Sequence, residues 1–189
     1  MGLEFIKKLN WIDLFVIILL IRITYIATKT GSFLELFKLL GIVLANYLSL
    51  HYYTILADKL KLFLKTKIIP VEILDFLSFF LLLIFGYFIF YILREIFLRL
   101  IKIEVVSALN RWIALFMGVV RGLIFISLIM YLFSIPVVNY FKVSIEDSYW
   151  GSRIRKFSPS LYELIWSNFM SKFMPQEKLN PEVLKIYQS

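Results

Sequence analysis

Two stretches of this chain, Leu39–Ala57 and Phe76–Leu93, run nineteen and eighteen residues without a formal charge when His51 is neutral. No other feature constrains the fold as much. A hydrocarbon core of about 30 Å is crossed by around 20 helical residues, and a helix satisfies its own backbone polar groups where water is absent. Two further runs match them. Trp11–Ile26 carries Asp13 near its start and Arg22 near its end, and Trp112–Phe133 stops before Pro136. Hydrophobic residues make up 61% of the 189 positions, above the roughly 45–50% of soluble domains. A soluble unit of this size has too little interior to hide that excess. Lipid has to cover it.

The punctuation between the runs agrees with four helices. Lys7 and Lys8 precede the first, but no small-residue cleavage pattern follows and Arg22 interrupts the apolar region, so it reads as an uncleaved span. Gly31 supplies a turn. Ser32 then opens the second helix as N-cap, with Glu35 three residues later completing a capping-box pattern and Phe33–Lys38 forming the first turns. Pro70, Glu72 and Asp75 suit the start of the third. After Leu93 the apolar residues Ile96, Phe97, Leu100 and Ile101 follow helical spacing, with Arg94, Glu95, Arg99 and Lys102 on other faces. This segment reads equally as an amphipathic element at the interface or as a solvated extension.

Residues 1–136 therefore form the four-helix transmembrane unit, and residues 137–189 a polar, partly helical C-terminal tail. Ser158 and Pro159 open a short helix through Lys172, whose face of Leu161, Leu164, Ile165 and Phe169 is expected to rest on the membrane or the bundle. Gln176–Ser189 reads as a loosely held end. About fifty residues make at best a marginal core, so no soluble catalytic domain is expected there.

Charge excludes more than it assigns. The net charge of +8 sits beside apolar runs, where it orients segments and meets anionic head groups. No basic cluster interleaves with stacking aromatics, so nucleic acid is not an expected partner. Cysteine is absent, which removes disulfides, thiolate metal sites and Cys nucleophiles. Six bases (Lys7, Lys8, Lys59, Lys61, Lys65, Lys67) face seven (Arg22, Lys29, Lys38, Arg94, Arg99, Lys102, Arg111) across the membrane, so loop charge leaves the orientation open. Trp11, Trp112, Tyr52 and Tyr53 suit interfacial belts.

A few polar residues inside the spans are the candidate sites. Arg121 lies within the fourth apolar run, between Gly118 and Gly122. A charge at bilayer depth costs at least about 2.5–3.5 kcal/mol. Two arrangements would offset that: snorkelling toward the 94–111 side, the favoured reading, or bonding to Asn46, His51 or Ser127 within the bundle. Gly118 and Gly122, four apart, share a helix face on which another backbone can approach. Asp13 sits at the wrong level to pair with Arg121 and fits a helix N-terminus instead. His51, the sole histidine, shares its span with Asn46, Ser49 and Thr54. A proton relay is conceivable there, but a hydrogen-bonded structural histidine is the favoured reading. Neither a metal-ligand set nor a Ser–His–Asp arrangement is legible, so no catalytic, metal or cofactor-binding residue is assigned and no enzymatic activity is expected.

Four motifs in order carry a family resemblance. NWIDLFVIILL at 10–20, TGSFLELFKLLGIVLA at 30–45, LNRWIALFMGVVRGLIF at 109–125 and Trp-Gly-Ser at 150–152 resemble elements of the colicin V production (CvpA) family, over roughly residues 8–170. Thr28–Thr30 departs from the basic, glycine-rich first loop usual there. The resemblance implies an all-α integral protein of the bacterial cytoplasmic membrane, linked to toxin production or export or to envelope homeostasis. It also implies both termini on the outer side. The expected partners are membrane lipids, with a second copy or another membrane protein on the packing glycines. A small transporter or channel subunit using Arg121 and the polar face around Asn46 and His51 is the alternative.

Overall fold

A computed structural model of the chain describes residues 9–64, 69–100, 108–135 and 139–188. Four long helices dominate: α1 Trp11–Thr30, α2 Ser32–Leu64, α3 Val71–Leu100 and α4 Ala108–Ser134. All four are long and apolar enough to cross a membrane. Five shorter helices follow: α5 Asn139–Glu146, α6 Gly151–Ile154, α7 Phe157–Ile165, α8 Ser171–Phe173 and α9 Pro181–Gln188, with a π-helical turn over Trp166–Met170 between α7 and α8. No strand occurs among the described residues.

The spans are longer than the apolar runs that announced them. Polar ends extend α2, α3 and α4 beyond what lipid requires; α2 is about 50 Å long at 1.5 Å per residue, and Leu62 and Phe63 in its last turn are exposed. The expected amphipathic continuation after Leu93 is the end of α3, with Ile96 and Phe97 exposed; Ile101 and Lys102 lie outside the described residues.

Chain order is not spatial order. α4 inserts between α1 and α2, while α3 packs on the far side of α2 and barely meets α4. Across the bundle the order is α1, α4, α2, α3. Gly31 makes this possible at one end: its φ of 83° is the single positive-φ glycine among the described residues, and it reverses the chain between α1 and α2 in one residue. A side chain would strain that conformation.

Small residues set the helix spacing. A Cβ on Gly118 would fall 2.3 Å from the Ala27 Cβ, and one on Gly122 would fall 3.0 Å from Leu20 Cδ1. Both glycines therefore face α1, where the backbones approach closely. Around this frame Phe79, Tyr53 and Tyr131 form an aromatic centre, and the Tyr53 and Tyr131 hydroxyls bond at 3.2 Å. Tyr53 thus belongs to the core and not to an interfacial belt. Its hydroxyl finds a partner on α4, so burial leaves no polar atom orphaned. Trp11 and Trp112, each at the start of a span, are exposed.

Of two sequence expectations about the C-terminal segment, one is met in part and one is overturned. Leu161 and Ile165 of the expected face pack against the bundle core, while Leu164 and Phe169 are exposed; the residues buried most deeply are Ser158, Pro159, Tyr162 and Trp166. The Ser158 and Tyr162 hydroxyls find polar partners on α2, and the Trp166 ring stacks on His51. Residues after Gln176 are not loosely held. Asn180 Nδ2 donates to the Leu50 carbonyl at 2.9 Å and to Thr54 Oγ1 at 3.2 Å, and Val183 is fully buried.

Candidate functional site

Polar side chains inside the spans gather into three groups, each joining segments distant in sequence. The first surrounds Arg121. Its Cα lies about 20 Å along α4 from Ala108, and its side chain reaches Glu35, with Nε donating to Oε2 at 2.9 Å. Glu35 is fully buried. Its other oxygen accepts from Thr30 Oγ1 and from Lys38 Nζ, each at 2.6 Å. One carboxylate is thus held by two cations and a hydroxyl from three helices, the arrangement that lets a buried charge persist.

This corrects two expectations. Arg121 does not bond Asn46, His51 or Ser127; it points toward the Gly31 end of the bundle, the snorkelling direction, but meets a carboxylate there. Glu35 is not a capping-box residue. The backbone N–H of Ser32 donates instead to Asn110 Oδ1 on α4 at 2.7 Å, which frees the Glu35 carboxylate for the cations. The sequence marked Glu35 by its capping-box spacing alone, and Glu95 stood at the same end of the bundle as a rival carboxylate.

The second group is Asp13 at the opposite end. Asn10 and Asp13 form a reciprocal capping box at the start of α1, as the helix N-terminus reading expects. The carboxylate is then used twice more. Oδ1 accepts from Ser148 Oγ at 2.7 Å and from the Trp150 N–H at 2.6 Å; Oδ2 accepts from the Tyr149 N–H at 3.3 Å. Asp13 is fully buried. It fastens the turn before α6 to the first span with charge-assisted bonds.

The third group receives the C-terminal segment. Asn46 and Ser127 lie about 21 Å along α2 and about 28 Å along α4, within the apolar stretches. Between them sits the start of α7. The Ser158 N–H donates to Ser127 Oγ at 2.7 Å, Ser127 Oγ donates to the Arg155 carbonyl at 3.1 Å, and the Ser158 hydroxyl donates to Asn46 Oδ1. Irregular backbone at this depth requires partners from the protein, and these two side chains supply them. Asn46 is a socket.

His51 stands a turn further along α2. Its Nδ1 meets the Tyr162 hydroxyl at 2.7 Å and its Nε2 meets Glu177 Oε2 at 2.8 Å, while Tyr47 and Trp166 stack on the ring. A carboxylate only accepts, which places a proton on Nε2 and lets Tyr162 donate to Nδ1. Burial pushes the Tyr162 phenol up to about 12; the Asn180 N–H opposes this, and Tyr52 and Glu177 add to it. Tyr162 and His51 are buried, whereas the Glu177 side chain is 41% exposed, so this chain of bonds runs from the core to one carboxylate at the surface. Tyr162, Glu177, Ser158 and Asn180 were not legible as partners. More than a hundred residues separate them in sequence from the groups on α2 that they bond, and no periodicity links them.

Among the described residues no three His, Asp or Glu side chains converge as metal ligands. The geometry defines an α-helical protein of membrane-spanning class whose intramembrane polar groups join helices to each other and to a docked C-terminal segment. The chain belongs to the colicin V production protein family, whose model matches residues 12–158. The match runs from the start of α1 to the first residues of α7, and so takes in Asp13, Glu35, Asn46, Arg121 and Trp150. No curated protein and no solved structure matches the chain.

Proposed function

We propose that the chain is a non-enzymatic platform in the bacterial cytoplasmic membrane, acting in toxin production or export, or in envelope homeostasis, by holding another membrane component. One observation carries the reading: the residues able to do acid–base chemistry, His51, Tyr162 and Glu177, bond one another and lock the C-terminal segment to α2. Such a cluster orders a surface for a partner, either a second copy or another membrane protein. The test is complementation of cells lacking the chain, scored by release of active colicin V-type toxin and by sensitivity to detergents. Wild type is expected to restore at least one of these. Tyr162→Phe, with fold intact, is expected to restore it equally; loss of function in that variant would point to chemistry at the hydroxyl and overturn the reading.

Both termini belong on the outer side in this reading. The four-span order, which brings Asp13 and Trp150 to one end of the bundle, supports a common side for both termini; the choice of the outer side rests on the family resemblance. Lys29→Cys and Ser167→Cys, both at exposed positions in a chain with no native cysteine, place the two ends directly. An impermeant thiol reagent added outside is expected to label the Cys at 167 and spare that at 29; the reverse would invert the orientation.

A transporter or channel subunit is the second reading. What favours it is a crevice of about 500 Å³ beside Arg121; Asn46 and His51 face the C-terminal segment and would not line a path. Solute flux in proteoliposomes that Arg121→Ala removes would establish it.

A further inference from the structure

The arrangement α1–α4–α2–α3 leaves α3 and α4 apart on one side of α2. The gap is the crevice of about 500 Å³, lined by Leu83, Ile84, Tyr87 and Phe88 of α3, by Ile42 of α2, and by Phe125 and Arg121 of α4. Its volume falls within the range of about 300–1,000 Å³ typical of ligand pockets. The walls are apolar except for Arg121 and two tyrosines, Tyr87 and Tyr91. A second, narrower groove shares Tyr87 and Tyr91 with it and adds Lys38 and Arg94, so one mouth of the crevice carries a basic rim.

The charge at that mouth does not balance. Glu35 supplies one negative charge, and Lys38 and Arg121 supply two positive ones. Arg94 is already paired with Glu95. Arg121 uses Nε on Glu35, and neither of its Nη groups bonds another described residue. Its side chain is only 13% exposed. A surplus positive charge this poorly hydrated favours a fixed anion more than a surface lysine does. The crevice runs about 12 Å along α3 from Tyr91 to Leu83, leading inward from the rim. An anion alone would leave those walls unfilled, and an alkyl chain alone would leave the charge. An amphiphile satisfies both.

We propose that the crevice seats one acyl chain of an anionic bilayer phospholipid, with its phosphate on the Nη groups of Arg121 beside Lys38. Glu35 then acts as a counterweight that positions the guanidinium and limits its surplus charge to one.

The test uses the full-length chain, purified in a mild detergent and stripped of lipid, then exposed to equimolar phosphatidylglycerol and phosphatidylcholine. Retained lipid is read by native mass spectrometry. Wild type is expected to prefer phosphatidylglycerol by about tenfold, the scale of one or two basic residues meeting an anionic head group, because both lipids carry the phosphate but the choline cation cancels its charge. Arg121→Gln is expected to lose the preference. Because that substitution leaves Glu35 with Lys38 as its one cationic partner and disturbs the packing, two further variants keep the outcome decisive. Glu35→Gln raises the surplus charge and is expected to strengthen the preference. Ile84→Trp fills the crevice away from the charge and is expected to reduce retention of both lipids. Equal retention of the two lipids by wild type would overturn the proposal, as would a preference that Ile84→Trp leaves intact. Displacement of phosphatidylglycerol by equimolar palmitate would assign the site to a free fatty acid and overturn the phospholipid. A dimer in place of bound lipid would give the crevice to a second copy.

Discussion

Arg121 on α4 and Glu35 on α2, 86 residues apart in sequence, meet at 2.9 Å in the interior of the bundle. The pair fixes the rotation of α4 against α2 at the level where Gly118 and Gly122 fix its distance from α1. Removing one partner of a buried ion pair costs more than the pair contributes, because the other charge is stranded. Glu35→Leu is therefore expected to destabilise the protein by about 3–5 kcal/mol, and Glu35→Leu with Arg121→Leu by less than the sum of the two single changes. Thermal unfolding in detergent of all four proteins reads this out; additivity would show that the pair is not coupled.

The two glycines of α4 are expected to differ. At Gly118 a new Cβ meets the Cβ of Ala27, which has no torsion by which to move aside, so Gly118→Ala has to push α1 away. At Gly122 the neighbour is the end of a leucine side chain, which can rotate. Overpacking of a close interface costs about 1–3 kcal/mol; Gly118→Ala should show it and Gly122→Ala should lose well under half as much. Melting temperatures compared side by side decide the matter.

Ser158 is enclosed by α2 and α4 although it lies in a polar segment near the C-terminus. Ser158→Cys, the sole thiol in such a variant, is expected to react with a maleimide at least tenfold more slowly than Leu164→Cys, since burial suppresses both access and thiolate formation. Asn46→Leu removes the acceptor for the Ser158 hydroxyl and should raise the Ser158→Cys rate toward that of Leu164→Cys. An unchanged rate would mean that Asn46 does not hold the segment.

Tyr162 yields a pH prediction. An unfolded tyrosine ionises near pH 10, whereas burial first, with Tyr52 and Glu177 adding and the Asn180 N–H opposing, pushes this one up to about 12. The folded state therefore holds its proton more tightly. Its contribution to stability is complete below about pH 10 and is lost as pH rises from about 10 to 12. The difference in tyrosinate absorbance between wild type and Tyr162→Phe should titrate near pH 12, with proteolysis at Lys172 and Lys178 accelerating over the same range. A difference titrating near pH 10 would refute the burial.

Glu177 offers the mildest way to loosen the same contact. Glu177→Ala leaves His51 Nε2 without its acceptor, at a cost of about 1–3 kcal/mol for a buried donor. Trypsin is expected to cut at Lys178 faster in this variant while the unfolding of the four spans stays put. Coupled loss of the spans would mean that the segment is integral to the bundle and does not merely dock on it.

Four spans, their order along the chain, the reversal at Gly31 and the place of Asp13 at the start of α1 were all legible in the residues. Each rests on local rules: uncharged run length against bilayer thickness, the backbone freedom of glycine, and side chains that cap the nearest backbone. Those rules act over a few residues, and so a sequence displays them. The insertion of α4 between α1 and α2 is of another kind. So are the partner of Arg121, the socket that Asn46 and Ser127 make for Ser158, and the bonds from His51 to Tyr162 and Glu177. A buried charge or amide announces that it needs a partner, but any of several groups at the right depth would satisfy the need. Glu35 could serve as a cap or as a counter-ion, and local spacing suited the first. Helix packing placed Asn110 on the Ser32 N–H and the guanidinium on the carboxylate, and only the tertiary structure could decide between them.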